Sequence, residues 1–306
     1  MVFAQCKCMV KADLRILFFG ASKFGFKVIQ EISNYKNAKL VGIISAPQNF
    51  RISYSKKKVK NFLFHDFEAF SNENKIPFAL MKNKMDDDEL FNFGKRSNPD
   101  IIIVAGWYHM ITKKWRKLAK CYGLHASLLP KYSGGAPLVW AMINNEKETG
   151  ISFFEMDSGV DTGKIVSQKK VEISPNDTIQ TLYEKIQNSA LEIISETLPM
   201  FYEGKVTLKD QDHSKRTIYP QRKPSDGEID WNKSSEYIER FIRAQTKPYP
   251  GAYTIVKGKK IRIWKAKISK EKFEDALPGK LVKRNETSFF TTKDGCIEVL
   301  DHEAGI

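Results

Sequence analysis

Cysteine is scarce in this chain, with 4 in 306 residues, and only Cys6 and Cys8 stand close together. A zinc site wants C-x-x-C-like spacing and further ligands, and no second pair follows, so no metal is expected. Scarce, scattered cysteines point to a reducing cytoplasm as the compartment. No apolar run approaches the ~18 residues of a membrane helix, which removes a membrane-spanning role from expectation. The first dozen residues carry Lys7 and Lys11 but no long apolar core, which argues against a secretory signal; residues 1–12 read as a loose N-terminal extension. A dinucleotide fingerprint is also missing. Gly20 and Gly25 do not have G-x-G-x-x-G spacing, so they read as a tight strand-to-helix turn and not as an NAD site. No internal repeat is evident.

What is abundant is positive charge. Lys and Arg total 50 against 36 Asp and Glu, a formal balance of +14. Such an excess favours an anionic partner, whether nucleic acid, a nucleotide or a phosphorylated small molecule, although solvated surface lysines produce the same count. The 20 Phe and 11 Tyr can furnish a sizeable core.

Apolar runs organise the first two thirds. Leu14-Arg-Ile-Leu-Phe-Phe19 ends at Gly20, and Phe26, Val28, Ile29 and Ile32 follow at helical spacing. Leu40–Ile44 and Ile101–Ala105 are further buried strands. Continuous apolar strands separated by helical stretches predict an α/β, Rossmann-like, mostly parallel sheet over residues 13–205. Arg51 to Lys60, with Lys56, Lys57, Lys58 and Lys60, reads as a basic loop before the next helix, either a solvated charge run or a phosphate contact. Asp177, with Gln180 three residues on, is the expected cap of a helix that Gly204 ends. Residues 205–224 are polar and basic, as in a linker. Tyr237, Ile238, Phe241 and Ile242 predict a short helix. Short alternating stretches at 252–256, 261–264, 280–282, 288–291 and 297–300 then predict a smaller, mostly β, OB-like C-terminal domain within 206–306.

Several motifs then occur in order. His125-Ala-Ser-Leu-Leu-Pro-Lys-Tyr-Ser-Gly134 is followed by Pro137, by Glu148-Thr-Gly-Ile151, and by Met156-Asp-Ser-Gly-Val-Asp-Thr-Gly163. Gly227-Glu-Ile-Asp-Trp231 leads to Arg243-Ala and Pro248-Tyr-Pro-Gly251. Taken with the strand and turn at Ile16 to Gly25, this series resembles the folate-dependent formyltransferases that act on methionyl-tRNA or on nucleotide sugars, over Leu14 to about Glu303. The resemblance implies formyl transfer from 10-formyltetrahydrofolate, the co-substrate, to a primary amine. It makes His125 the general base toward the amine and general acid toward the departing folate nitrogen, a task suited to a side chain whose ordinary pKa is ~6.5. It makes Asp161 the group that holds the imidazole or a bridging water. It assigns the amine-substrate wall to Ser127, Leu128, Leu129, Pro130, Lys131 and Gly134. It places the folate beside Val104, Gly106, Trp107, Tyr108, His109 and Met110, and beside the loop holding Met156 and Asp157.

The chain departs from this pattern at Gly123. The family reads N-x-H, and its asparagine polarises the formyl carbonyl; losing such a donor can cost ~3 kcal/mol of barrier. Catalysis here then needs a backbone N–H, a water or another side chain as donor, so a non-catalytic binder of folate or nucleotide is the alternative. Two amines compete. Initiator methionyl-tRNA would use the basic loop and a positive second domain to hold RNA phosphate. A nucleotide-linked amino sugar is the preferred partner, because Arg51-Ile-Ser-Tyr54, Gly106–His109 and Pro248-Tyr-Pro-Gly-Ala-Tyr253 look closer to the sugar branch, though Ser133 and Gly135 stand where some sugar enzymes carry arginines. No membrane partner is expected, and a homodimer is left open.

Overall fold

The computed structural model describes residues 12–52, 55–82, 84–274 and 276–304, so the expected N-terminal extension with Cys6 and Cys8 lies almost wholly outside the described residues. The chain divides into two compact units. The first runs to Gly123 and takes in Leu191–Leu208; the second comprises Leu124–Ala190 and Lys209 onward.

The first unit contains β1 (Leu14–Phe19), α1 (Lys23–Asn34), β2 (Ala38–Ser45), β3 (Asn49–Ile52), β4 (Ser55–Lys60), α2 (Glu68–Glu73), β5 (Phe78–Leu80), α3 (Asp88–Ser97), β6 (Ile101–Val104), α4 (Lys113–Leu118) and most of β7 (Lys120–His125). Its strands pair in the order β7-β6-β1-β2-β5, every pair parallel. Burial explains the apolar runs: Ile16 to Phe19, Ile43, Ile44, Ile102 and Ile103 are wholly enclosed. Ser22 starts α1 by accepting the Gly25 N–H on its hydroxyl.

Where described, the basic stretch is strand and not loop: Arg51 and Ile52 end β3, and Ser55–Lys60 form β4. β3 and β4 pair antiparallel, Asn49 with Lys60 and Phe50 with Val59, as a separate two-stranded ribbon. A ribbon outside the main sheet needs no continuous apolar run, and pairing still satisfies its backbone. Its lysines therefore mask its strand character in the sequence.

The second unit contains β8 (Ser133–Gly134), α5 (Pro137–Ile143), the antiparallel pair β9 (Glu148–Glu155) and β10 (Ile165–Glu172), the first half of α6 (Ile179–Glu203), β11 (Ile218–Tyr219), α7 (Ser235–Arg243), β12 (Ala252–Val256), β13 (Lys259–Ser269), β14 (Leu281–Arg284), β15 (Thr287–Thr291) and β16 (Cys296–Ala304). The last five strands form one antiparallel sheet in the order β12-β13-β16-β15-β14, the expected small β domain. α7 packs against β13, burying Ile238, Phe241 and Ile242.

The cap of α6 differs from expectation. Thr178 and Thr181 exchange hydroxyl and N–H bonds of 3.1 and 3.3 Å, a reciprocal cap one residue later than Asp177. Asp177 is already occupied, accepting from Ser174 N–H at 2.7 Å, Thr181 Oγ1 at 2.8 Å and Lys185 Nζ at 2.6 Å. The polar stretch after Gly204 is not a free tether either. From Lys209 to Tyr219 it lies along the second unit as a strap. Lys209 and Ile165 exchange both backbone bonds at 2.8 Å, Ser133 N–H donates to Thr217 O, and β11 pairs parallel with β8.

Candidate active site

His125 ends β7, and the chain then turns through Ala126 to Tyr132 into β8. Ser152 holds this turn. Its hydroxyl donates to Ser127 O at 2.6 Å and accepts the Leu129 N–H at 3.0 Å, while Gln168 Nε2 reaches Leu129 O at 2.9 Å. Ser127 is fully buried with its hydroxyl donating to Lys131 O at 2.7 Å. Leu129 packs with Phe154, Ile165 and Met156, and the Leu129–Pro130 peptide is cis. The side chains of Ser127 and Leu129 thus serve the turn itself. Leu128 and Pro130 are half-buried, and Lys131 is exposed.

The turn fixes the imidazole. His125 Nε2 lies 2.8 Å from the backbone carbonyl of Tyr132. A carbonyl only accepts, so Nε2 carries the hydrogen and, in the neutral ring, Nδ1 is the nitrogen with a free lone pair. Nδ1 faces Asp161 Oδ2 at 3.6 Å, and both side chains are largely buried, 11% and 17% exposed. Tyr132 carries no signal in the sequence, because it acts through a backbone atom. Its residue is held on three sides. Its N–H donates to Thr217 Oγ1 at 2.8 Å, its hydroxyl to Glu146 Oε1 at 2.7 Å, and its ring stacks on Tyr219 with centroids 4.7 Å apart. Burial and the neighbouring Glu146 carboxylate push the Tyr132 phenol well above its ordinary value, so the hydroxyl stays a donor.

Asp161 sits in the loop between β9 and β10. Its Oδ2 also accepts the Gly134 N–H at 2.8 Å. Gly134 has φ +95, and a Cβ there would stand 2.4 Å from Tyr219 O, so only glycine brings this N–H to the carboxylate. Asp157 builds the loop's turn, accepting from Gly159 N–H at 2.9 Å and from Thr162 Oγ1 at 2.6 Å. Gln211 Nε2 donates to the carbonyls of Asp161 at 3.0 Å and Gly163 at 2.6 Å, and Arg216 donates to Val160 O at 2.6 Å. Neither strap residue has a sequence signal, since each acts across some fifty residues of chain. His125, Asp161, Gly134 and the turn at 127–131 are therefore brought together within the second unit.

Residues 104–110 belong to the first unit. Val104 ends β6, and Gly106 has φ +61, where a Cβ would collide with the Ser22 hydroxyl. The rings of Phe50, Trp107, Tyr108 and His109 cluster at centroid distances of 5.0 to 5.5 Å. Asn61, another residue not singled out from sequence, accepts from Tyr108 Oη at 3.1 Å and donates to Ala21 O at 2.8 Å. Burial holds the His109 imidazole below its ordinary value. Trp107 Nε1 and His109 Nε2 are buried without a hydrogen-bond partner, and Met110 is exposed. An aromatic cluster with orphaned ring nitrogens fits a flat heteroaromatic ligand bearing polar edges. Gly123 is buried in β7, paired with Val104, and is not among the described glycines with positive φ. Among the described residues no group of three or more metal-ligating side chains occurs, and no helix is long and apolar enough to cross a membrane.

Comparison with known proteins matches residues 14–198 to the formyl transferase domain and residues 222–305 to the formyl transferase C-terminal domain. A methionyl-tRNA formyltransferase of Thermodesulfovibrio yellowstonii is 32% identical over 93% of this chain and 89% of its own length. The bifunctional polymyxin resistance protein ArnA of Wigglesworthia glossinidia brevipalpis is 34% identical over 96% of this chain and 42% of its own. Among solved structures, an N-formyltransferase from Helicobacter canadensis, crystallised with folinic acid and dTDP-3-aminofucose, superposes with a TM-score of 0.66 at 16% identity, over 95% of this chain and 100% of that one, a likeness of fold.

Proposed function

Since the chain belongs to the formyl transferase family, we propose that it transfers a formyl group from 10-formyltetrahydrofolate to the primary amine of a nucleotide-linked amino sugar. The observation that carries the chemistry is the imidazole of His125, anchored through Nε2 with Nδ1 turned to Asp161. When bound, 10-formyltetrahydrofolate supplies the formyl carbon. His125 Nδ1 takes the proton of the attacking amine as the new nitrogen–carbon bond forms, and returns it to the folate nitrogen as the old bond breaks. Asp161 stabilises the imidazolium that exists between these events. The turn at 127–131 and Gly134 form the amine side of the site. In the first unit, Trp107, Tyr108 and His109 receive the folate, with Val104, Gly106 and Met110 alongside, and the orphaned Trp107 Nε1 and His109 Nε2 meet its polar edges; in the second unit, Met156 and Asp157 are its folate-side residues. Gly123 supplies no side chain toward the formyl oxygen, so a backbone N–H or a bound water acts there.

The amino-sugar reading is supported by the segments at 106–109 and 248–253, which look closer to the sugar branch, and by the shared fold of the Helicobacter canadensis N-formyltransferase crystallised with dTDP-3-aminofucose. Initiator methionyl-tRNA is the second reading, favoured by the +14 balance and by relatives of that name matching along nearly their whole length. The purified protein is assayed with 10-formyltetrahydrofolate against nucleotide-linked amino sugars and charged initiator tRNA, across a range of salt. Transfer to an amino sugar, with binding that changes little with salt, is expected. Efficient formylation of tRNA with steeply salt-dependent binding, as release of several counterions requires, rejects the sugar reading. No transfer to any amine would leave a folate or nucleotide binder.

A further inference from the structure

Gln211 lies in the strap, two residues beyond the Lys209–Ile165 pair, and its side chain is buried. Its amide nitrogen has two hydrogens, and both are engaged, one by the carbonyl of Asp161 and one by that of Gly163. The orientation is unambiguous, because a flipped amide would set its oxygen against two carbonyl oxygens. Oε1 is left buried with no partner, so the two donors are what this side chain contributes.

Those donors act on a strained backbone. Asp161 has φ +56, a left-handed conformation that an L-residue with a side chain holds only when its surroundings impose it. The side chain of Asp161 is fixed at a single backbone donor, Gly134 N–H, and turned on His125 Nδ1. Releasing the Asp161 carbonyl lets the adjoining peptide rotate, and the carboxylate swings away from the imidazole with it. We propose that Gln211 is a positioning residue for formyl transfer, acting through Asp161 by gripping the carbonyls on either side of Thr162. This rests on the reading of His125 and Asp161 given above.

The test is a mutant cycle in the full-length protein, with the amine that the wild type formylates. Gln211→Leu lowers kcat by about 10- to 100-fold, the scale of a 1 Å misplacement, while KM for 10-formyltetrahydrofolate stays within about threefold. In an Asp161→Asn background the same change lowers kcat by no more than about twofold further, because both act on one interaction. A folded Gln211→Leu with near-wild-type kcat overturns the proposal, as does a full further loss in the Asp161→Asn background. Should the leucine variant not fold, Gln211→Asn, which draws the amide back by one methylene, carries the same cycle. Hydrogen exchange at the Gly134 amide separates this inference from its parent. Either variant speeds that exchange by at least about tenfold, whether or not the wild type turns over. Unchanged exchange rejects the role of Gln211, whereas absent wild-type turnover with accelerated exchange rejects only the formyl-transfer reading.

Discussion

Replacing Asp161 by Asn removes one negative charge and almost no volume. The charge lies 3.6 Å from His125 Nδ1. At that separation its attraction for an imidazolium is about 1 kcal/mol in a water-like medium and about 4–5 kcal/mol at an effective dielectric of ~20. With both side chains more than four-fifths buried, the upper part of the range applies. At about 1.4 kcal/mol per tenfold, kcat falls by at least about tenfold and by up to about a thousandfold. The loop keeps its anchor, because the asparagine carbonyl can still accept the Gly134 N–H. Folate affinity should therefore stay within about threefold. Steady-state kcat and KM on the preferred amine, with a thermal melt to verify folding, measure both quantities. A variant within about threefold of wild-type kcat would assign Asp161 to the turn alone.

His125→Asn should lower kcat by at least about 100-fold, the usual scale of general acid–base help, and near-normal turnover would remove proton transfer from this residue. Gly123→Asn places a side chain on the face of β7 that His125 shares, since alternate strand residues project together, and no positive φ opposes it. It should raise turnover by about tenfold through a new amide N–H that donates to the formyl carbonyl; a brisk wild type that asparagine does not improve would mean that another donor already serves. Asp177→Asn should lower the melting temperature at neutral pH. Burial alone would push the Asp177 carboxyl up, but the Lys185 ammonium, the Thr181 hydroxyl and the Ser174 N–H outweigh it and hold it below the ordinary carboxylate value. A folded value below the unfolded one contributes stability above about pH 4 and loses it as pH falls through the folded value, so the gap between variant and wild type should close in acid. A gap that persists unchanged there would refute the ion pair's part in stability.

Features that depend on local side-chain chemistry were legible in the sequence. The apolar runs of β1, β2 and β6 are strands because both faces are covered, and the alternating stretches from Ala252 onward are β12 to β16. His125 and Asp161 stand out by motif. What stayed hidden depends on partners remote in the chain or on backbone atoms. The β3–β4 ribbon carries lysines where a core strand would be apolar. Asp177 has the right side chain for a cap, yet its carboxylate is drawn to Lys185 and Thr181, leaving the cap to Thr178. Tyr132 offers a carbonyl, which every residue has. Gln211 and Thr217 sit in a stretch whose polarity reads as solvent exposure, although Gln211 bonds the backbone at Gly163 and Thr217 that at Tyr132.

The strap changes what counts as a minimal enzyme. A fragment stopping near residue 205 would contain His125, Asp161 and the whole turn between them. It would lack the segment that grips the carbonyls around Thr162, braces Val160 and pins Tyr132. Any exchange of this chain's C-terminal domain must therefore cut after Tyr219 to leave the site intact. During synthesis from the N-terminus, His125 and Asp161 emerge well before the segment that hydrogen-bonds the loop around Thr162.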